Sequence, residues 1–515
     1  MIENLMQGFA AAMDPLLLLT LVLSVAAGLI IGAMPGLSAT MGVAILIPLT
    51  FGMEAEQGLF ILVAIFISAV QGGSLPAVLI NTPGTPAAAA TTFDGYALAK
   101  NGQAGRAIGI AQVASFIGLI ISWVVLISIS PLIAKIALKF GAPEYFAIGL
   151  FGLTIVASLS TESLLKGVLA GLVGLTVSCI GLDPIMGMPR LTFGVDYLLG
   201  GVSYVPALIG LFAISEILTG VEEIHSDTGK VAAQNDKVIP ARADLKKILP
   251  TAVRSGLFGT LLGALPGIGS DIAAFFSYGF AKRGKDKETF GKGNIRGIAA
   301  AEAANNGVCG GALIPMLALG IPGDAVTAII LGSLILWGIN PGSQLFVGNA
   351  GLIYCLFAGF IIASVLTLIL GMSMAKLFAY VLKIPKKILL PIVMTLCLVG
   401  SYSINNSVED VLIAVVFGII GYGINKSGFF GSPIVLALIL GPMVETNFRR
   451  SLVMSSGSYG IFFTRPISLA FLLVAFASIV LAIINDKKRK ASLAEAEQMM
   501  EEKEEYEEYE EGEAV

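Results

Sequence analysis

Apolar runs long enough to cross a lipid bilayer recur along the chain, separated by short polar stretches. About 20 apolar residues in a helix span the roughly 30 Å of hydrocarbon in a membrane. The runs are continuous, as expected of helices. The pattern predicts an all-α integral membrane protein with about 12 hydrophobic segments. Clear examples of these runs lie at 106–130, 143–160, 164–182, 198–218, 350–372 and 466–484.

Two of the apolar regions are interrupted by proline and glycine. Residues 15–52 would measure about 57 Å as one helix, which is too long for one span, and they are too few for two spans with a loop. We therefore predict a helical hairpin that enters the membrane and returns, with its tip at Pro35-Gly36. Residues 57–99 predict a crossing helix that is broken near Asn81-Thr82-Pro83-Gly84.

Both interruptions have a counterpart later in the chain. GAMPGL at 32–37 matches GALPGI at 263–268, and GGSLPAVLINTPGT at 72–85 matches GGALIPMLALGIPGD at 310–324. Arg and Lys are absent around the first hairpin, whereas both sides of the second hairpin are basic. Since positive charge marks the cytoplasmic side, the pattern indicates two inverted-topology repeats, residues 1–218 and 248–484. Ordinary helix kinks are the alternative interpretation of these motifs.

The polar segments suggest an orientation. Residues 219–247 are interpreted as a cytoplasmic connector between the repeats, and residues 485–515 as a basic and then acidic cytoplasmic tail that is disordered. The first fourteen residues contain no Lys or Arg, which predicts a periplasmic N-terminus. The expected location is therefore the bacterial inner membrane, crossed many times.

Composition argues against other classes of protein. The chain of 515 residues is 56% hydrophobic and 13% charged, with four cysteines and one histidine, His225. It contains no GxxxxGK[ST] motif, no metal-ligand spacing and no histidine partner for a catalytic serine. We expect neither an enzyme nor a resident cofactor, and no nucleic-acid partner.

The broken helices suggest how a small anion and a cation could bind. Free N–H groups at a helix start favour a carboxylate, and free carbonyl groups at a helix end favour a small cation. The motif segments contain no Lys, Arg or His, so backbone N–H groups and neutral side chains would have to hold the carboxylate. The predicted substrate-binding residues are Pro35, Gly36, Ser38, Thr40, Asn81, Thr82, Gly84, Thr85, Gly267, Gly269, Ser270, Pro322 and Gly323.

Acidic residues in the second repeat are candidates for the coupling cation, Na⁺ or H⁺. Asp271, Asp324 and Asn305 are possible sodium ligands, because hard cations prefer oxygen. The two aspartates could instead cap the helices that follow them, and serine or threonine in a membrane helix often bonds back to the helix. Glu302 is interpreted either as a buried ligand or as a residue near the cytoplasmic mouth. Asp94 is interpreted as a loop charge.

At these motifs the chain resembles the large membrane subunit of tripartite tricarboxylate transporters, the TctA family. The resemblance extends to about residue 485 and is clearest in GAMPGLSATMGVAILIPLTFGM at 32–53 and in the stretches 71–107, 263–282 and 302–342. It implies a small membrane subunit of about four helices, a periplasmic solute-binding protein and cation-driven uptake of a carboxylate such as citrate. Hairpins beside broken helices also resemble elevator-type carriers, which is an analogy of fold only.

The function expected from the sequence is therefore the translocating subunit of a cation-driven, binding-protein-dependent carboxylate uptake system. The alternative is a channel or carrier for small organic anions that is not coupled to a binding protein. Alignment of the repeats places Thr40 opposite Asp271 and Thr85 opposite Asp324. We therefore expect the first repeat to favour the substrate and the second to favour the coupling cation.

Overall fold

The computed structural model describes residues 2–50, 52–158, 164–222, 236–284, 286–375, 377–378, 386–429 and 431–484. Helices dominate these residues, and the strands among them form one small hairpin in which β1 (Gly181–Leu182) pairs antiparallel with β2 (Pro189–Arg190). His225, Lys285, most of the predicted connector and the C-terminal tail lie outside the described residues.

The described residues of the first half form ten α-helices. They are α1 (Ile2–Ala12), α2 (Pro15–Ala33), α3 (Ala39–Thr50), α4 (Ala55–Gly72), α5 (Ser74–Leu79), α6 (Thr91–Lys100), α7 (Ala104–Ala137), α8 (Ala142–Ser158), α9 (Leu164–Ser178) and α10 (Tyr204–Glu222). The apolar run predicted at 164–182 is helical only as far as Ser178, because Gly181, at a φ of 120°, begins β1.

The described residues of the second half form nine helices of twelve or more residues. They are α11 (Arg242–Gly263), α12 (Ser270–Lys282), α13 (Ile295–Leu319), α14 (Ala325–Leu336), α15 (Ala350–Ser373), α16 (Lys386–Asn405), α17 (Val408–Lys426), α18 (Gly431–Met454) and α19 (Pro466–Ile484). Single helical turns lie at Leu345–Gly348 and Ile461–Thr464.

Nine helices in the described part of the chain are long and apolar enough to cross a membrane. They are α2, α4 continued by α5, α7, α10, α15, α16, α17, α18 and α19. Three shorter apolar helices accompany them: α3, α9 and α14. An 18-residue stretch of Ala55–Leu79 is entirely buried inside the protein, whereas only 11% of such a stretch in Pro466–Ile484 is buried. The first is therefore a central helix, and the second presents most of its surface to the surroundings, as suits a multi-pass membrane protein.

The chain turns at both predicted hairpin tips with the same local geometry. Between α2 and α3, Gly36 has a φ of 89°, and between α11 and α12, Gly267 has a φ of 88°. Only glycine adopts such angles readily, and the preceding proline cannot continue a helix with its missing N–H. Pro-Gly thus ends the first arm of each hairpin and starts the turn.

Both predicted helix breaks are also present. α5 ends at Leu79 and the next helical turn begins at Pro86, while α13 ends at Leu319 and α14 begins at Ala325. At the start of the breaks, Asn81 and Gly320 are left-handed, with φ of 57° and 73°. A left-handed residue at the end of a helix is a common stop signal, and the proline two residues later prevents the helix from resuming at once.

Small residues let the central helices approach closely. A Cβ added to Gly118 of α7 would lie 2.2 Å from the Ala303 carbonyl oxygen of α13, and one added to Gly259 of α11 would lie 2.1 Å from the Ala304 oxygen. Such backbone contact replaces the hydrophobic effect as the source of helix association in a lipid environment. It holds α13 between the second hairpin and α7.

Candidate functional site

Both hairpin tips and both helix breaks converge on one cavity of about 360 Å³. The first tip contributes Ser38, Ala39 and Thr40, and the second contributes Gly267 and residues 269–272. The first break contributes Thr85–Ala87 and the second contributes Asp324–Val326. The cavity thus brings together residues that are far apart in sequence: Ser38 and Val326 are separated by 288 positions.

Helix starts surround the cavity. α3 begins at Ala39, a short 3₁₀ turn begins at Pro86, α12 begins at Ser270 and α14 begins at Ala325. The first N–H groups of a helix have no partner within it and carry a partial positive charge, so several such starts around one cavity favour an anion.

Close backbone contacts hold each break against its own hairpin. The Gly267 N–H donates to the Gly323 carbonyl oxygen at 2.7 Å, which joins the second tip to the second break. On the other side, a Cβ added to Gly84 would lie 1.9 Å from the Gly32 carbonyl oxygen at the end of α2. At Gly323 of the second break, an added Cβ would lie 2.5 Å from Ala312 Cα. Gly84 and Gly323 therefore leave no room for a side chain, which explains why glycine stands in both breaks.

The Thr85 hydroxyl is a polar group without a partner at the cavity wall. Thr85 is 2% exposed, and its Oγ1 forms no hydrogen bond with the described residues. A buried hydroxyl without a hydrogen bond costs about 1–3 kcal/mol of stability. Such a group is expected to gain its partner when a ligand enters.

The two aspartates at the cavity differ in what they do for the fold. Asp324 caps α14: its Oδ1 accepts from the Thr327 N–H at 2.8 Å, while the Asp324 N–H donates to Thr327 Oγ1 at 2.9 Å. Asp271 lies in the first turn of α12 and accepts no hydrogen bond from the described residues. The structure therefore shows a capping hydrogen bond for Asp324 and none for Asp271, whose carboxylate in the first turn interacts favourably with the dipole of α12.

The other predicted site residues surround the cavity without lining it. Asn305 is fully buried behind the first break, where its Nδ2 donates to the Ala87 carbonyl oxygen at 3.0 Å and its Oδ1 accepts from Asn306. It supports the wall that Ala87 forms, and among the described residues it forms no hydrogen bond with either aspartate. The remaining seven lie in the turns themselves: Pro35, Gly36, Asn81, Thr82, Gly84, Pro322 and Gly323.

Three helices outside the motifs complete the wall. α4 contributes Phe66 and Val70, α10 contributes Phe212, and α18 contributes a group formed by Ser432, Pro433 and Leu436. The sequence carries no signal for these residues, because they are ordinary members of apolar runs. They make most of the wall apolar, so a ligand would be oriented by the few polar groups at the tips and breaks.

Glu302 is fully buried, which is against a place near an exposed mouth, and it is not among the residues that line the cavity. Both carboxylate oxygens accept hydrogen bonds, one from Thr91 Oγ1 at 2.5 Å and the other from Ser115 Oγ at 2.9 Å. It therefore lies inside the protein between α6, α7 and α13 and not at an exposed mouth.

Asp94 is not a loop charge, contrary to the sequence interpretation. It is fully buried on α6, and its Oδ1 accepts from the backbone N–H groups of Gly291, Gly293 and Asn294 at 2.7–2.9 Å. Its Oδ2 accepts from the Tyr278 hydroxyl at 2.9 Å. The sequence interpretation failed because all four donors lie nearly 200 residues away in the chain.

The chain is similar to known proteins over most of its length. A family model described as "Tripartite tricarboxylate transporter TctA family" matches residues 18–436, which include both hairpin tips and both breaks. An uncharacterised 52.8 kDa protein in the TAR-I ttuC′ 3′ region of Agrobacterium vitis is 35% identical over 491 residues, which cover 95% of this chain and 98% of that protein.

A second protein of the same organism, in the TAR-II ttuC′ 3′ region, is 36% identical over 233 residues, 45% of this chain and 96% of its own length. No solved structure matches the chain. Because the family model matches this chain over most of the chain's length, the chain belongs to the tripartite tricarboxylate transporter TctA family.

Proposed function

We propose that the chain is the large translocating subunit of a cation-driven, binding-protein-dependent uptake system for a tricarboxylate or a related carboxylate. The observation that carries the proposal is the convergence of two hairpin tips and two helix breaks on one cavity. Unwound backbone at membrane depth is tolerated only where it is buried in protein or lines a cavity, and paired breaks mark the substrate site in several transporter folds.

The proposal includes an inverted-topology relation between the halves. The matching φ of Gly36 and Gly267, and of Asn81 and Gly320, supports an origin from one repeated unit. Together with the opposite charge around the two hairpins, it favours a periplasmic N-terminus, a cytoplasmic C-terminus and placement in the bacterial inner membrane. An elevator-type movement of the cavity is the mechanism that such a unit suggests.

In this proposal the anion is held by backbone N–H groups at the helix starts, by the Thr40 hydroxyl and by the unpaired Thr85 hydroxyl. The apolar wall excludes water and strengthens these interactions. The carboxylates of Asp271 and Asp324 would repel the substrate unless a cation accompanied it, which makes co-transport of a cation the expected mode. The small membrane subunit and the periplasmic binding protein are the expected partners.

The function is tested with the complete three-part system in proteoliposomes. A ligand screen on the cognate binding protein identifies the carboxylate, and its labelled form is then followed into vesicles with and without a sodium or proton gradient. Saturable uptake that needs both a gradient and the binding protein supports the proposal. Non-saturating flux that needs neither would favour the alternative of a channel or carrier independent of a binding protein.

Asp271→Asn and Asp324→Asn are expected to raise the cation concentration needed for half-maximal uptake by about tenfold or more, a size typical of a coupling between two ligands. Asparagine caps a helix almost as well as aspartate, so the amount of folded protein should not change. Asp14→Asn is the matched control, because Asp14 caps α2 through its Oδ1 and is not among the cavity-lining residues. Cation dependence equal to that of the control in both variants would leave capping as the only role of these aspartates.

Thr85→Val removes the unpaired hydroxyl and keeps the shape of the side chain. We expect a rise of about tenfold in the KM for the carboxylate, the value of one hydrogen bond to a charged group, and an unchanged or higher thermal stability of the empty protein. The control is Thr50→Val, since the buried Thr50 hydroxyl bonds back to the Ile47 carbonyl within α3. A stability loss with an unchanged KM would contradict a role of Thr85 in substrate binding.

A further inference from the structure

Glu216 is an acidic residue within the membrane-crossing candidate α10, and the cavity motifs do not account for it. It follows the apolar segment 205–214 and precedes Ile217 and Leu218. Its Oε2 accepts a hydrogen bond from Ser38 Oγ at 2.8 Å. Ser38 lies at the first hairpin tip and lines the cavity. The carboxylate is thus one hydrogen bond away from the place where a ligand would lie.

Glu216 has no cationic partner among the described residues. The Ser215–Glu222 part of α10 packs against α16 and α17. Tyr422 and Lys426 on α17 both bind Glu222, one and a half turns further along α10. Asp410 binds Asn405 and Tyr197. Among the titratable side chains that the structure describes on these two helices, none bonds to Glu216; they are Lys387, Cys397, Tyr402, Glu409, Asp410, Tyr422 and Lys426.

The hydrogen bonding of Ser38 depends on whether Glu216 carries a proton. Ser38 Oγ already accepts from the Met41 N–H at 3.1 Å, and it has a single hydrogen to donate. An ionised Glu216 can only accept, so it takes that hydrogen. A protonated Glu216 can donate to Ser38 Oγ instead, which leaves the Ser38 hydroxyl hydrogen free to turn toward a carboxylate in the cavity.

We propose that Glu216 is a proton-binding residue that positions the Ser38 hydroxyl for the substrate carboxylate, so that one proton enters with the anion. This inference rests on the proposed uptake function and names H⁺ as a coupling ion at the first hairpin tip. When the proton leaves, Glu216 becomes negatively charged again and accepts the hydrogen bond that the Ser38 hydroxyl donates. The substrate then loses a donor and faces a nearby negative charge, and both changes favour its release.

Glu216 acts through Ser38, so the test must separate positioning from a purely structural role. In the complete three-part system, the KM of the original chain for a labelled carboxylate should rise about tenfold from mildly acidic to mildly alkaline pH, the value of one charge-assisted hydrogen bond. Glu216→Gln keeps a donor toward Ser38 at every pH. Its KM should therefore stay low at alkaline pH. At each pH, the KM of the original chain is divided by that of Glu216→Gln, which removes the effect of the substrate's own titration because both chains take up the same substrate.

Two further variants keep the result interpretable. Ser38→Ala removes the transmitting hydroxyl, so its KM should be high at acidic pH and should change less with pH than that of the original chain. Glu222→Gln is the matched control on the same helix, and it should keep the original pH profile, since Glu222 is half-exposed and bound to Lys426. If Glu216→Gln is not recovered as folded protein, the dependence of KM on pH in Ser38→Ala still tests the proposal, since that dependence should be weaker than in the original chain.

The outcomes distinguish this inference from the proposed function. If the original chain takes up no carboxylate with its partners present, the proposed function fails. If it does, and Glu216→Gln or Ser38→Ala keeps the original pH dependence of KM, Glu216 is not the coupling group and the inference is overturned.

Discussion

Gly84→Ala and Gly323→Ala will each prevent the cavity from forming, and uptake should fall below detection. A single added methyl group at Gly84 would lie 1.9 Å from the Gly32 carbonyl oxygen, and one at Gly323 would lie 2.5 Å from Ala312 Cα. Both neighbours are backbone atoms of a packed helix, so they cannot move aside as a flexible side chain would. Overpacking of this kind costs about 1–3 kcal/mol or more.

The measurement is the amount of monodisperse protein after detergent extraction, followed by its thermal unfolding and by uptake in proteoliposomes. Gly279→Ala is the matched control: it lies within α12 of the second hairpin, and an added Cβ there has no neighbour within 4 Å. Alanine is a better helix former than glycine by about 1 kcal/mol, so this control should be at least as stable as the original chain. Gly84 and Gly323 variants that match the control in stability and uptake would show that the breaks adapt freely.

The hairpin tips and helix breaks could be predicted because their cause is local. Pro35-Gly36 and Pro266-Gly267 stop a helix through the missing N–H of proline and the freedom of glycine, whatever surrounds them. The length of residues 15–52 then left a hairpin as the arrangement that fits a membrane. For the same reason the breaks near Asn81 and Gly320 could be located from the sequence to within a few residues.

The walls of the cavity could not be predicted, because they depend on how distant helices pack. Phe212 and Ser432 come from helices with no motif of their own. Asn305 is close in sequence to residues of the second break, yet its side chain supports the first break through the Ala87 carbonyl. The packing of α13 determines which of the two breaks the Asn305 side chain contacts. Sequence spacing carries no information about this packing.

Acidic residues show the same contrast. Glu216 was not singled out by the sequence analysis, although the sequence holds a signal for it, since a carboxylate within an apolar span is costly and needs a reason. Asp94 carried none: α6 begins TTFD and ends in Lys100, as an ordinary surface helix would. Only the fold shows that the Gly291–Asn294 backbone surrounds its carboxylate.

The Asp94 carboxylate joins α6 in the first half of the chain to the loop before α13 in the second half. Asp94→Ala should lower the free energy of unfolding by about 3–5 kcal/mol, because three backbone N–H groups lose a charged acceptor and the Tyr278 hydroxyl loses its partner. Asp94→Asn should cost much less, since its amide oxygen can face the three N–H groups while its NH₂ donates to the Tyr278 oxygen. Thermal unfolding in detergent measures both, and Lys100→Ala is the control, because Lys100 is exposed at the end of the same helix. Lys100→Ala should be the most stable of the three variants, followed by Asp94→Asn and then Asp94→Ala.

The loop before α13 should also loosen in Asp94→Ala. Gly291 and Gly293 hold left-handed φ values of 81° and 102°, which direct their N–H groups toward the carboxylate, so the loss of this acceptor should release the loop. Faster proteolysis between α12 and α13 in Asp94→Ala would report that release, whereas a stability and cleavage rate equal to those of Lys100→Ala would mean that the carboxylate does not hold the two halves together.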